Sequence, residues 1–107
     1  AEGVQFSSPA FDAGSAAPEM QTFVGTFRKN YNQEPDILAG YGYDVVNIAA
    51  QALRSAGDIT PDDIKQALYS IKDYPGVTGK TTFDSNGDVV KELRMMCVKD
   101  GAFAPLP

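Results

Sequence analysis

The sequence predicts a mixed α/β chain with the element order β-α-α-α-β-β, closed by a C-terminal antiparallel hairpin. Three observations carry that prediction. The stretch from Asp36 to Gly57 is apolar around most of a helical circumference, the pattern of a central helix covered on more than one side. A second segment, Met20, Phe23, Val24, Phe27 and Tyr31, repeats at steps of three, one, three and four, a single core-facing helical stripe. Past Tyr74 the chain turns to strand formers, with Asp84-Ser85-Asn86-Gly87-Asp88 between two such runs; a short Asn-Gly loop between strand-like runs is the signature of a hairpin.

Taken in order, Gly3-Val4-Gln5-Phe6-Ser7 alternates apolar and polar residues and reads as a short strand. The small, turn-rich run from Ser8 to Ala17 is a loop. A helix starts near Pro18, a residue tolerated at the first helical position, and stops before Asn32-Gln33-Glu34-Pro35. In the central helix, Asp36 is placed to accept the first free amides as an N-cap, and Gly57 is placed for a left-handed C′ position. Its polar residues, Asp44, Asn47, Gln51 and Arg54, form one narrow stripe. Gly40 and Gly42, poor helix formers, point to close packing or a ragged first turn, with a functional role as the other reading. A third helix is announced by Thr60-Pro61-Asp62-Asp63: a capping threonine, a proline at N1 and two acids in the positive first turn. Ile64, Ala67, Leu68 and Ile71 make its apolar face, and Tyr74-Pro75-Gly76 closes it. Val77 to Phe83 and Val89 to Val98 are the hairpin strands; Lys99-Asp100-Gly101 turns once more before a short strand at Ala102-Phe103-Ala104. The first strand has no partner near it in sequence. A parallel neighbour, supplied by a βαβ unit missing from this chain, is expected beside it.

Composition narrows the function. The chain has 107 residues, 43% of them hydrophobic, so it is one domain or part of one, with a core. A net charge of −5 with scattered basic residues excludes a cationic stripe for nucleic acid. No apolar run reaches the roughly 18 residues of a membrane span. Histidine is absent, which removes the commonest general base and metal ligand. Without it, and without a Gly-x-Ser-x-Gly elbow, no serine is activated as a nucleophile. Cys97 is the single cysteine and reads as an inert strand thiol. The acidic turn at 84–88 has its glycine fourth rather than sixth, so it is ordinary turn chemistry and not a calcium loop. The start at Ala1-Glu2-Gly3 without Met is expected of a processed product or an excised piece. Tyr41 and Tyr43 lie at the start of the central helix, where free amides and phenols suit a carboxylate or small polar ligand, or else both rings pack against the other helices.

The order of motifs resembles the type I periplasmic solute-binding proteins, in particular the branched-chain amino acid (Leu/Ile/Val) binding subfamily of ABC transporters. The resemblance runs from Glu2-Gly3-Val4, through Phe23, Phe27 and Tyr31 followed by Glu-Pro, and through Gly42-Tyr43-Asp44-Val45-Val46. It continues over Gly76-Val77-Thr78-Gly79-Lys80-Thr81-Thr82-Phe83-Asp84-Ser85-Asn86-Gly87-Asp88 to Val98-Lys99-Asp100-Gly101-Ala102-Phe103. It implies that residues 1–107 are a single partial domain, the end of the second lobe of a two-lobed protein with the hairpin near its hinge. It further implies no enzyme activity, no cofactor, a small amino-acid-like or carboxylate solute, an ABC transporter permease as partner, and a periplasmic or extracytoplasmic location. The family's acid for an amino acid's ammonium lies outside this segment. Leu38 and Tyr41 are the matching ligand-binding positions, with Leu38 standing where the family carries an aromatic. The alternative is a ligand-sensing domain of a receptor or regulator with the same fold. An incomplete lobe is expected to hide its open sheet edge by self-association, for example by strand exchange.

Overall fold

The computed structural model describes residues 1–106. Its elements are β1 (Gln5–Pro9), α1 (Pro18–Tyr31), α2 (Ile37–Ser55), α3 (Pro61–Tyr69), β2 (Tyr74–Gly76), β3 (Gly79–Phe83), β4 (Val89–Val90), β5 (Leu93–Lys99) and β6 (Ala102–Pro105). The strands form two three-stranded antiparallel sheets, ordered β1-β5-β6 and β2-β3-β4.

The helices begin where local chemistry places them. The Asp36 carboxylate accepts the Ala39 amide at 2.9 Å, and the Thr60 hydroxyl accepts that of Asp63 at 3.2 Å, each satisfying an amide with no partner inside its helix. At the other end of α2 the expected glycine cap is absent. The helix stops at Ser55 with Ala56 extended, and Gly57 has no left-handed backbone.

Two buried clusters hold the helices. Met20, Phe23 and Val24 of α1 pack on Val77, with Phe11, Phe27 and Ala39 around them. Ile48 and Ala52 of α2 pack on Ala67 and Ile71, with Leu68, Tyr74 and Phe83 alongside. The α2 contacts come from Gly40, Asp44, Ile48 and Ala52, one row four residues apart. The helix is therefore covered along one stripe rather than on several sides: Leu38, Val45 and Val46 are 71%, 65% and 69% exposed. The polar stripe is corrected as well. Asp44 lies on the covered side and is only 3% exposed.

The β region differs most from expectation. β1 is shifted to Gln5–Pro9, and within this chain it does find a partner, β5, antiparallel, with Gln5 opposite Cys97 and Pro9 opposite Leu93. Tyr74-Pro75-Gly76, read as a helix stop, is strand β2 paired to β3. Val77 and Thr78 are not strand residues but the buried link between those two strands. The long strand expected from Val89 to Val98 is broken at Lys91-Glu92. Its first two residues close the β2-β3-β4 sheet; the remainder crosses to the other sheet. The expected turn at Lys99-Asp100-Gly101 is present, with φ of 54° at Asp100 and 75° at Gly101, the left-handed pair that a two-residue hairpin turn requires.

The β1-β5-β6 sheet thus stands apart from the helical body. The chain joins them at two places, the loop after β1 and Lys91-Glu92. The molecule is accordingly elongated, 51 × 33 × 20 Å, with a radius of gyration of 16.0 Å against about 13 Å for a compact domain of this length.

Candidate ligand-binding site

The first turns of α2 face the space between the two bodies. Gly40 is buried there because the loop after β1 presses on it: a Cβ at this position would lie 3.0 Å from both the Phe11 ring and the Thr78 methyl. Close packing, one of the readings of this glycine, is what the structure shows. Phe11 also meets Phe23 edge-on at 6.4 Å.

Between this end of α2 and the β1-β5-β6 sheet lies a cavity of about 540 Å³. Phe6, Met96 and Phe103 line it from the sheet, Phe11 and Ile37 from the body, with Arg94, Asp12 and Asp36 among the polar walls. Mostly apolar walls with a few charged groups, at a volume within the roughly 300–1,000 Å³ of small-molecule pockets, suit a small amphipathic ligand. Arg94 is the cationic group of that lining, which it shares with the carboxylates of Asp12 and Asp36.

Of the two positions expected to bind ligand, Leu38 is 71% exposed beside the cavity-lining Ile37. Tyr41 stands one turn on from Ile37, half-buried, with the Lys91 ammonium 5.8 Å from its ring centre. Neither lines the cavity itself. Tyr43, the other candidate aromatic, turns its ring onto Phe23 at 4.9 Å and is a packing residue.

A polar cluster missed in the sequence lies behind Tyr41. The Val77-Thr78 link is buried, and a buried link needs acceptors for its amides. Asp44 supplies them: Oδ1 accepts Val77 N at 2.9 Å, and Oδ2 accepts Thr78 N at 2.9 Å and the Thr78 hydroxyl at 2.5 Å. Lys91 Nζ in turn donates to Thr78 Oγ1 at 2.5 Å. Burial holds the Lys91 ammonium below the ordinary lysine value, and the negative charge of Asp44 offsets part of that effect. Burial pushes the nearby Tyr74 phenol above its ordinary value, with Asp44 and Tyr43 adding to the shift. Only the proline turn and the glycine at 76 hinted at this cluster. A Cβ at Gly76 would lie 2.5 Å from Asp44 Oδ2.

The cavity lies between the helical body and a sheet that the chain reaches by two crossings. Residues 1–102 match the family model described as periplasmic binding protein, and the chain belongs to that family. An ABC transporter substrate-binding protein from Desulfitobacterium hafniense, solved in complex with Leu, is 33% identical, with a TM-score of 0.86 over 98% of this chain and 31% of its own. A branched-chain amino acid ABC transporter protein from Rhodospirillum rubrum is 32% identical, with a TM-score of 0.77 over 98% of this chain and 31% of that one. The branched-chain amino acid transporter substrate-binding protein from Streptococcus pneumoniae, solved with isoleucine, is 32% identical, with a TM-score of 0.75 over 92% and 28%. The chain spans about 31% of the length of the first two, a piece of the type I periplasmic-binding-protein fold.

Proposed function

We propose that this chain is part of the extracytoplasmic solute-binding component of an ABC transporter, taking a small amino-acid-like or carboxylate ligand into a cleft between two lobes. The observation that carries the reading is the 33% identity, over 98% of the chain, to a substrate-binding protein solved with leucine. The apolar cavity with Arg94 on its wall, at the start of α2, supports the same chemistry. Leu38 and Tyr41 contribute the ligand contacts from this segment, Leu38 through an exposed apolar side chain and Tyr41 through its ring face and phenol. The role is binding without catalysis, and the macromolecular partner of the whole protein is a transporter permease. Residues 1–107 act as a partial domain, which supplies only part of the cleft of the whole protein.

The test is a graft of this chain in place of the matching segment of the Desulfitobacterium protein. The chimera is expected to bind leucine or another small carboxylate by calorimetry, and Leu38→Ala and Tyr41→Ala to weaken that binding roughly tenfold each, the loss of one good contact. Unchanged affinity in both variants would remove these residues from the site, and a folded chimera that binds none of these solutes would overturn the assignment.

A further inference from the structure

The two chain crossings are fastened to the helical body at one spot and by different chemistry. The crossing after β1 is held by apolar contact, with the Phe11 ring in the notch left by Gly40, against Phe23 and near the Thr78 methyl. The crossing between β4 and β5 is held by a polar contact to the same threonine: Lys91 Nζ donates to Thr78 Oγ1 at 2.5 Å, with Thr78 O 3.5 Å away. Thr78 is rigidly seated, fully buried, its amide and hydroxyl both given to Asp44. Lys91 is half-buried and at the edge of this seat, and the next strand residue in the other sheet, Leu93, is two positions away.

We propose that the Lys91–Thr78 contact is a releasable tie that sets how far the β1-β5-β6 sheet stands from the helical body, and so how wide the cavity between them is. Phe11 is the pivot. An apolar ring seated in a close-packed notch has few alternative positions. A single hydrogen bond from a flexible lysine stem to a fixed hydroxyl has two discrete states, made or replaced by water, and elements at chain crossings absorb such changes. The tie also reaches the candidate ligand position, because the same ammonium sits 5.8 Å from the Tyr41 ring centre. A ligand that displaces that ring bears directly on the Lys91 head. This last coupling rests on the proposed solute-binding role; the tie itself rests on geometry alone.

Paired spin labels at Arg54→Cys on α2 and Lys99→Cys on β5, in a Cys97→Ser background of the 107-residue chain diluted into excess unlabelled chain so that only pairs within one chain are read, measure the separation without any ligand. The parent chain is expected to give one narrow distance distribution, Lys91→Met to widen it roughly twofold as the sheet is freed, and Lys91→Arg to keep it narrow. The Val77 and Thr78 amides report whether the body stays folded, since Asp44 holds them in every variant, and their exchange protection is expected to be unchanged. An equally narrow distribution in Lys91→Met with those amides protected would overturn the tie. So would a broad distribution in the parent chain. Neither result depends on solute, so failure of the tie is separate from failure of the binding assignment.

Discussion

The Asp44 carboxylate in the second turn of α2 accepts the backbone amides of Val77 and Thr78, thirty-three and thirty-four positions further along the chain, at 2.9 Å each. It allows a two-residue link between β2 and β3 to be buried against a helix, where its amides would otherwise have no acceptor. Removing it is expected to be costly. A buried donor without a partner costs about 1–3 kcal/mol, so Asp44→Ala, which orphans two amides and a hydroxyl, is expected to lose roughly 2–4 kcal/mol in urea unfolding. Asp44→Asn keeps one acceptor oxygen and is expected to lose less. Equal stability of Asp44→Ala and the parent would contradict the role given to this residue.

The same contact sets opposite outcomes for two glycine substitutions. A Cβ at Gly76 would press on the Asp44 carboxylate at 2.5 Å, a position fixed by its hydrogen bonds, while one at Gly42 on the open side of α2 would meet nothing within 4 Å. Gly76→Ala is expected to destabilise by about 1–3 kcal/mol through overpacking, and Gly42→Ala to stabilise by up to about 1 kcal/mol through helix propensity. Thermal melts of both variants beside the parent decide this.

Titration at high pH separates two groups of the cluster by sign. Tyr74 is raised above its ordinary 10.0, so as pH climbs past 10.0 the unfolded chain loses this proton before the folded one and stability falls. Lys91 lies below its ordinary 10.5, so between its folded value and 10.5 the unfolded chain holds more protons and stability rises with pH. Tyr74→Phe is expected to flatten the alkaline loss and Lys91→Met to steepen it, as read from melting temperature against pH.

Exposed apolar area on α2 gives a prediction about association. Leu38, Val45, Val46 and Leu53 are all exposed on a helix whose covered stripe is narrow, and β1 and β6 are open sheet edges. In isolation the chain is expected to associate through these surfaces, and Val46→Glu to shift it toward the monomer. Light scattering during size-exclusion chromatography is the measurement; a monomer at all concentrations would count against it.

The sequence by itself determined the three helices, the Asp36 and Thr60 caps and the turns at 84–88 and 99–101. These depend on groups a few residues apart: a capping oxygen and its amide, an apolar row at helical spacing, a turn pair in left-handed backbone. The order of motifs also made the family resemblance legible. Tertiary structure alone decided that Val89–Val98 breaks at Lys91, that β1 finds its partner some ninety residues away in β5, and that Asp44 turns inward. A strand's pattern does not name its partner, and a carboxylate reads as a surface residue until the donors that justify its burial are brought to it by the fold.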